Sequence, residues 1–187
     1  TSTDIGTLPG ATGGAAATAV SGTVVVGDSG PPTDELRRAF AYDLATDTMT
    51  DLGTFGGTYS YAEAVDGNIV VGRAETPDGY FHAYAYDLAT HTMHDLGTLG
   101  GGSSGARAVS GSIVVGHTST ADGDSHAFAH DLATHAMTDL DPSGPGGYVH
   151  AIDGTVAVGS AYTGTGSTGA VVYDLVRTDN KGVGKWT

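Results

Sequence analysis

The sequence predicts an all-β fold, namely a small four-bladed β-propeller built from four tandem repeats of about 44 residues. Three observations predict it. Three short blocks of sequence return in the same order in each repeat, hairpin turn residues recur between them, and Gly is abundant, at 31 of 187 residues. Because Gly and β-branched residues are weak helix formers, this composition favours short strands joined by tight turns.

The recurring blocks define the repeat. The first is Asp-Leu-Gly-Thr-Leu-Gly-Gly or a variant of it, and its copies begin at Asp4, Asp51, Asp95 and Asp139. The second is an aliphatic triplet followed by Gly, at 24–27, 69–72, 113–116 and 156–159. The third ends in Asp-Leu, at 39–44, 83–88, 127–132 and 170–175.

Each repeat is predicted to contain four antiparallel strands, which we name A to D. In the second repeat, strand A lies near 60–65 and strand B at about 68–74, joined by the two-residue turn Asp66-Gly67. Strand C follows at about 81–88 and strand D near 92–96. The aliphatic triplets of strand B are apolar on both faces, as expected for strands sandwiched between neighbouring blades.

We predict a single domain over 1–187, with a closed ring of blades. The repeats fall at about 9–55, 56–99, 100–141 and 142–178, with an N-terminal closing strand at 1–8 and a tail at 179–187. The fragment from Asp4 to Leu8 resembles strand D and is expected to complete the last blade, which removes the open sheet edges. Pairing of Gly182-Val183-Gly184 from the tail there is the alternative; an open β-solenoid and a domain-swapped oligomer are structural rivals.

Composition restricts the partners. The formal charge is −14, from 21 acidic and 7 basic residues, which argues against nucleic acid and anionic membranes because both require a basic surface. Cys is absent, so disulfides and thiol chemistry are excluded. No apolar run approaches the roughly 18 residues of a membrane span. We expect a monomer, in its mature form if it is secreted.

The three blocks, together with the triplet His126-Ala127-Phe128, resemble the HAF-repeat proteins, a family of extracellular bacterial proteins. The triplet returns as His82-Ala83-Tyr84 and Arg38-Ala39-Phe40, and becomes Gly169-Ala170-Val171 in the last repeat. The resemblance covers nearly the whole chain except the tail. It implies an extracellular repeat protein and carries over no catalytic residues.

Equivalent positions that differ between the copies, and are polar, are the candidates for function. One such set follows strand B, one begins strand C, and one lies in strand A. The sets are Asp28, Arg73, His117 and Ser160; Arg38, His82, His126 and Gly169; and Thr18, Glu63, Arg107 and His150. The first two are expected around the D–A and B–C loops of one face, and the third near the axis, where propellers often bind ligands.

Two kinds of chemistry fit these residues. The catalytic candidates are Glu63, Arg73, Arg107, His117 and His150. Glu63 with His117 or His150 would form an acid–base pair, and Arg73 or Arg107 could hold an anion. The ligand-binding candidates are Asp28, Arg38, Arg73, His82, His117, His126, Tyr59, Tyr61 and Tyr148. A structural role is favoured for His82 and His126, and the Glu63–Arg107 pair could simply join adjacent blades.

No cofactor is predicted, because no motif for one is present. The loop that contains Asp122 and Asp124 offers hard oxygen ligands and could hold Ca²⁺, but it lacks the full ligand set of a calcium loop and is better interpreted as a solvated turn. Tyrosines near the same face could stack on sugar rings.

Two functions follow as expectations. The first is a secreted binding module for a small polar ligand or glycan at the channel face. The alternative is a small lyase, isomerase or hydrolase that uses His, Glu and Arg at that face. A lectin would repeat its site in every blade, whereas these copies differ; the absence of a familiar catalytic constellation favours the binding module. A purely structural surface repeat is the third possibility.

Overall fold

The structure is a computed structural model of the chain. It describes residues 2–11, 13–31, 36–141, 144, 146–162 and 167–175. The tail predicted at 179–187 lies outside these residues. Fifteen strands occur in the described ranges, and no cis peptide bond is found among them.

The strands form four antiparallel sheets. The first sheet contains β1 (Gly14–Ser21), β2 (Val24–Gly30), β3 (Arg38–Asp43) and β4 (Thr48–Asp51). The second contains β5 (Ser60–Asp66), β6 (Ile69–Glu75), β7 (Phe81–Asp87) and β8 (Thr92–Gly97). The third contains β9 (Gly100–Ser110), β10 (Ile113–Thr120), β11 (Ser125–Asp131) and β12 (Ala136–Asp139). The fourth contains β13 (Gly147–Asp153), β14 (Val156–Tyr162) and β15 (Thr168–Asp174).

Sequential strands pair side by side in every sheet, in the order A, B, C, D in the first three sheets and A, B, C in the fourth. The second sheet lies within one residue of the predicted strand limits. The all-β class and the four-strand antiparallel repeat are therefore confirmed. Turn chemistry explains the agreement, because the A–B turns place Gly22, Gly67, Gly111 and Gly154 at positive φ, between 54° and 57°.

Strand A carries a β-bulge at the same place in all four sheets. In the second sheet Ala62 pairs with Gly72 and Ala64 pairs with Val71, so Glu63 is an extra residue without a partner on strand B. The equivalent extra residues are Thr18, Arg107 and His150. Bulges re-aim side chains and often occur beside functional sites.

The bulge explains the Gly that ends each aliphatic triplet. A Cβ atom built on Gly72 would overlap the carbonyl oxygen of Tyr61, and would lie only 3.0 Å from its carbonyl carbon and 3.1 Å from Cα of Ala62. The same overlap with strand A occurs in the other three sheets, at Gly27, Gly116 and Gly159. The bulged strand therefore requires Gly opposite it.

The hydrophobic core lies between consecutive sheets. We call the face of a sheet that is directed toward the preceding repeat its near face, and the face that is directed toward the following repeat its far face. Val26 on the far face of the first sheet packs in one cluster with Val70 and Tyr84 on the near face of the second. Val71 and Val114 join the second and third sheets, and Val115 and Ala157 join the third and fourth.

Hydrogen bonds between sheets recur with the same period. The N–H of Gly67 donates to Ser21 Oγ (3.2 Å), that of Gly111 to Asp66 Oδ2 (2.7 Å), and that of Gly154 to Ser110 Oγ (3.0 Å). Each joins an A–B turn to the end of strand A in the preceding sheet, so that consecutive sheets are held in one repeated relation.

Ring closure is not seen in the part of the chain that the structure describes. Residues 2–8 form no strand, the fourth sheet has three strands, and no ladder joins it to the first sheet. Leu8 instead packs on Phe40 and Tyr42 of the first sheet, and its N–H donates to Ser29 Oγ (3.1 Å). The closed four-bladed ring with an N-terminal closing strand therefore stays a prediction.

Candidate functional site

The bulges of the second and third sheets bring three charged side chains together. The bulge residue Glu63 forms an ion pair with Arg107, the bulge residue of the next sheet, with Arg107 NH1 and Glu63 Oε1 3.2 Å apart. Arg73, at the end of strand B, also approaches Glu63 Oε1, at 3.5 Å. Two guanidinium groups thus share one carboxylate, which leaves one positive charge uncompensated in a chain of net charge −14.

His117 lies beside both arginines. Burial lowers the pKa of His117 to about 4, and the positive charges of Arg107 and Arg73 contribute to the shift. The imidazole is therefore neutral at neutral pH. Its Nδ1 atom is buried and has no hydrogen-bond partner, so this site contains one unsatisfied polar atom.

Aromatic rings flank these charges. The guanidinium carbon of Arg73 lies 4.7 Å from the ring centroid of Tyr61 and 5.7 Å from that of Phe81, both within cation–π range. His117 packs on the ring of Tyr148, with the two centroids 5.5 Å apart. A cavity of about 320 Å³ opens between the second and third sheets; it is lined by Tyr61, Arg73, Phe81, Ser103, Ser104 and His117. We call these residues the Arg73 pocket.

The predicted set at the start of strand C does not join this pocket. His82 Nδ1 lies 2.8 Å from Asp95 Oδ2, and His126 Nδ1 lies 2.8 Å from Asp139 Oδ2. Arg38 reaches the equivalent Asp51, with NH2 3.3 Å from Oδ2. The three pairs cross from strand C to strand D, away from strand A. Their recurrence agrees with the structural role favoured for the histidines.

Other candidates are separate from the pocket. Asp28 is buried in an ion pair with Arg37. His150 is exposed, and its Nε2 atom lies 3.3 Å from Ser160 Oγ. Neither His150 nor His117 forms an ion pair with Glu63 among the described residues, so the proposed acid–base pairs are not assembled. Tyr59 is half-buried and donates its backbone N–H to Glu75 Oε2 (3.2 Å).

The loop considered for Ca²⁺ has the geometry of an ordinary hairpin turn. Asp122 and Asp124 are exposed. The N–H of Thr120 donates to the carbonyl of Asp124 (2.9 Å), as Thr76 does to Tyr80 in the preceding sheet (2.8 Å). Within the described ranges, no three His, Asp or Glu side chains are grouped so that they could hold a metal.

A larger cavity of about 590 Å³ lies between the second and third sheets, toward the opposite ends of strands B and C. Its lining includes Ile69, Asp87 and His135. A second cavity between the first and second sheets is lined by residues at the equivalent repeat positions, Val24, Asp43 and His91. Because these two cavities occupy equivalent positions between successive sheets, they are a property of the scaffold. The Arg73 pocket, in contrast, combines residues that differ between copies.

Three residues of the pocket, and one residue beside it, were not predicted. Phe81, Ser103 and Ser104 line it, and Gly105 makes room for it, because a Cβ there would lie 3.1 Å from the His117 ring. The sequence carried one usable signal for Gly105. It pairs with His117 as Tyr61 pairs with Arg73 and Tyr148 pairs with Ser160, so a Gly replaces a Tyr at that register.

Comparisons with solved structures identify the fold. The chain is similar to TolB from Acinetobacter baumannii, with a TM-score of 0.62 and 16% identity over 84% of this chain and 40% of that one. A mutant puromycin hydrolase complexed with PGG gives 0.60 and 16%, over 86% of this chain and 26% of that one. A protein assigned as TolB from Agrobacterium tumefaciens gives 0.60 and 14%, over 82% and 58%. At these identities the likeness shows a β-propeller-like fold alone.

The chain spans less than two thirds of each of these structures. No protein-family model matches it, and no curated protein sequence matches it. The resemblance to HAF repeats therefore stays a prediction. None of the described segments forms a helix that could cross a membrane.

Proposed function

We propose that the chain is a binding module, and that the Arg73 pocket takes a small polar ligand or glycan that carries a carboxylate. The observation that supports this most directly is the pair of guanidinium groups on one carboxylate, because it leaves a local positive charge that an anionic group can neutralise. The strongly acidic remainder of the surface would repel the same group, so specificity for this pocket follows.

The rest of the ligand would lie on the aromatic rings. Tyr61 and Phe81 have ring centroids 5.9 Å apart and border the pocket, so they offer an apolar surface beside the charges, which suits a sugar ring. The hydroxyls of Ser103 and Ser104 border the same space. Ser104 Oγ already donates to the carbonyl of Gly97 (2.6 Å) and accepts from the N–H of Ala83 (2.8 Å), which leaves Ser103 as the freer hydroxyl.

Binding is tested with a thermal-shift screen and a glycan array that include neutral and uronate-bearing saccharides. Arg73→Gln should weaken binding of an anionic ligand by about ten- to a hundredfold, because a hydrogen bond to a charged group contributes about 1.5–3 kcal/mol. Arg38→Gln is the matched control, since the two side chains are 32% and 35% exposed and each pairs with a carboxylate. Equal losses in both variants, or no stabilisation by any ligand class, would refute the proposal.

An acid–base enzyme at the same pocket is the second candidate. The observation that favours it is a charged cluster that occurs once in the described sheets, because Glu63 and Arg107 lie beside Arg73 and His117 of the pocket. Turnover of a bound ligand, followed by mass spectrometry, should then be lost in His117→Gln while binding is retained. If the ligand returns unchanged, the enzyme is excluded and the binding module stands.

An extracellular location belongs to the proposal. It rests on the resemblance to HAF repeats and on the acidic composition. Fractionation of the native host, with immunodetection of the chain in the medium, tests it.

A further inference from the structure

The fourth sheet has a bare apolar far face. Val158 occupies the repeat position of Val26, Val71 and Val115, which are each 0% exposed, yet Val158 is 42% exposed. Val172 occupies the position of Ala41, Ala85 and Ala129, which are 4%, 3% and 1% exposed, and it is 69% exposed. In the first three sheets these positions pack against the next sheet, so the fourth sheet has the same surface without a cover.

The first sheet has the complementary surface. Val20 occupies the near-face position of Val65, Val109 and Ile152, which pack against the preceding sheet. Val20 is 63% exposed. The hydrogen bond that joins an A–B turn to the preceding sheet is also absent at the outer sides of the first and fourth sheets, among the described residues. Asp153 of the fourth sheet corresponds to the acceptor Asp66, and Gly22 of the first sheet corresponds to the donor Gly67.

The N-terminal segment has the conformation of a strand D end. The N–H of Gly6 donates to Asp4 Oδ1 at 2.9 Å, as Gly53 does to Asp51 (2.8 Å) and Gly97 to Asp95 (2.7 Å). Ile5 stands in the place of the buried Leu52 and packs against the near face of the first sheet. Residues 4–8 therefore correspond to the strand D of a sheet that would precede the first sheet. In the fourth sheet, β15 is a strand C with no strand D beside it among the described residues.

We propose that the fourth sheet of one copy of this chain docks on the first sheet of a second copy, head to tail, with residues 4–8 of that copy beside β15. The three interfaces inside the chain already have this geometry, so the contact continues an established one. A second copy is favoured over the chain's own first sheet because no sheet ladder joins the fourth sheet to the first within the described residues. Under this proposal the chain self-associates, whereas a monomer was expected from the sequence.

Disulfide trapping tests the proposal directly. Strands C and D pair Phe40 with Asp51, Tyr84 with Asp95 and Phe128 with Asp139, so Asp4 should lie opposite Val171 of the other copy. Directly paired residues of antiparallel strands fit disulfide geometry, and the chain has no Cys of its own. Mixing Asp4→Cys chains with Val171→Cys chains should give a disulfide-linked heterodimer. A mixture of Leu36→Cys and Val171→Cys chains is the control, because Leu36 is 64% exposed but lies outside the contact.

The mass in solution gives a second readout. The wild type should self-associate at micromolar concentration, as a closed two-chain ring or as longer head-to-tail oligomers. Val172→Asp should raise the dissociation constant more than tenfold, whereas Leu36→Asp should not. Three outcomes would overturn the proposal. An intrachain disulfide in an Asp4→Cys/Val171→Cys monomer would show closure on the chain's own first sheet. A monomer whose β14 amides lose protection when residues 176–187 are removed would show that the tail covers the face. A monomer with unprotected β14 amides would show that the face is free.

Discussion

Gly72→Ala should disrupt the bulge that positions Glu63. The new Cβ would overlap the Tyr61 carbonyl oxygen and lie 3.0 Å from its carbonyl carbon, closer than van der Waals contact allows. The clash is with backbone rather than with a flexible side chain, so strand A itself must move. Overpacking of this kind typically costs about 1–3 kcal/mol, and we expect the upper end of that range.

Urea unfolding followed by circular dichroism measures the change in the free energy of unfolding. The matched control is Gly14→Ala, at the start of strand A in the first sheet, where a Cβ would meet no atom within 4 Å. The control should change stability by no more than about 0.5 kcal/mol. If Gly72→Ala is as mild as the control, strand A does not approach Gly72 as described, and the argument for the bulge fails.

Three further substitutions follow from the repeats. Tyr84→Phe should stabilise the fold by about 1 kcal/mol, because the buried Tyr84 hydroxyl has no partner and Phe40 occupies the equivalent position; chemical unfolding measures it. His130→Tyr should raise the melting temperature, because both ring nitrogens of the buried His130 lack partners and the other repeats have Tyr there; a fall in melting temperature would refute this. His117 is predicted to make stability pH-dependent. Its pKa is lowered from 6.5 to about 4 on folding, so the unfolded chain binds more protons, and stability present above pH 6.5 is lost as the pH falls toward about 4. Melting curves of His117→Gln should show a smaller loss over that window than the wild type.

Local features of the fold could be predicted because they are encoded by short sequence patterns. The Asp66-Gly67 turn and the aliphatic triplet before Gly72 each determine a strand pair through neighbouring residues alone. The bulge at Glu63 was not predicted, because the same extra residue is present in all four copies and leaves the period of the repeat unchanged. Comparison of the copies nevertheless selected Glu63, Arg73, Arg107 and His117 as candidates, because the site breaks the symmetry of the scaffold.

The remaining features depend on the angle between sheets, which no short pattern encodes. The angle between sheets determines which side chains reach Glu63. Arg107 does so, and His150 does not. The same angle also decides ring closure, because identical sheets can form a small closed ring or an arc of a larger one. The Asp28–Arg37 pair was unpredictable for a simpler reason, since the position of Arg37 holds no charged residue in the other repeats, where Phe81, Ser125 and Thr168 stand.

The bulge also bears on how such a chain can change over evolution. Pairing on either side of the extra residue depends on backbone and on the facing Gly, so the identity of the side chain at that one position is not fixed by the blade. Thr, Glu, Arg and His already occupy it in the four copies. Mutations at these positions can therefore alter recognition with little effect on folding, and a combinatorial library varied only at Thr18, Glu63, Arg107 and His150 would be a direct route to new binding specificities.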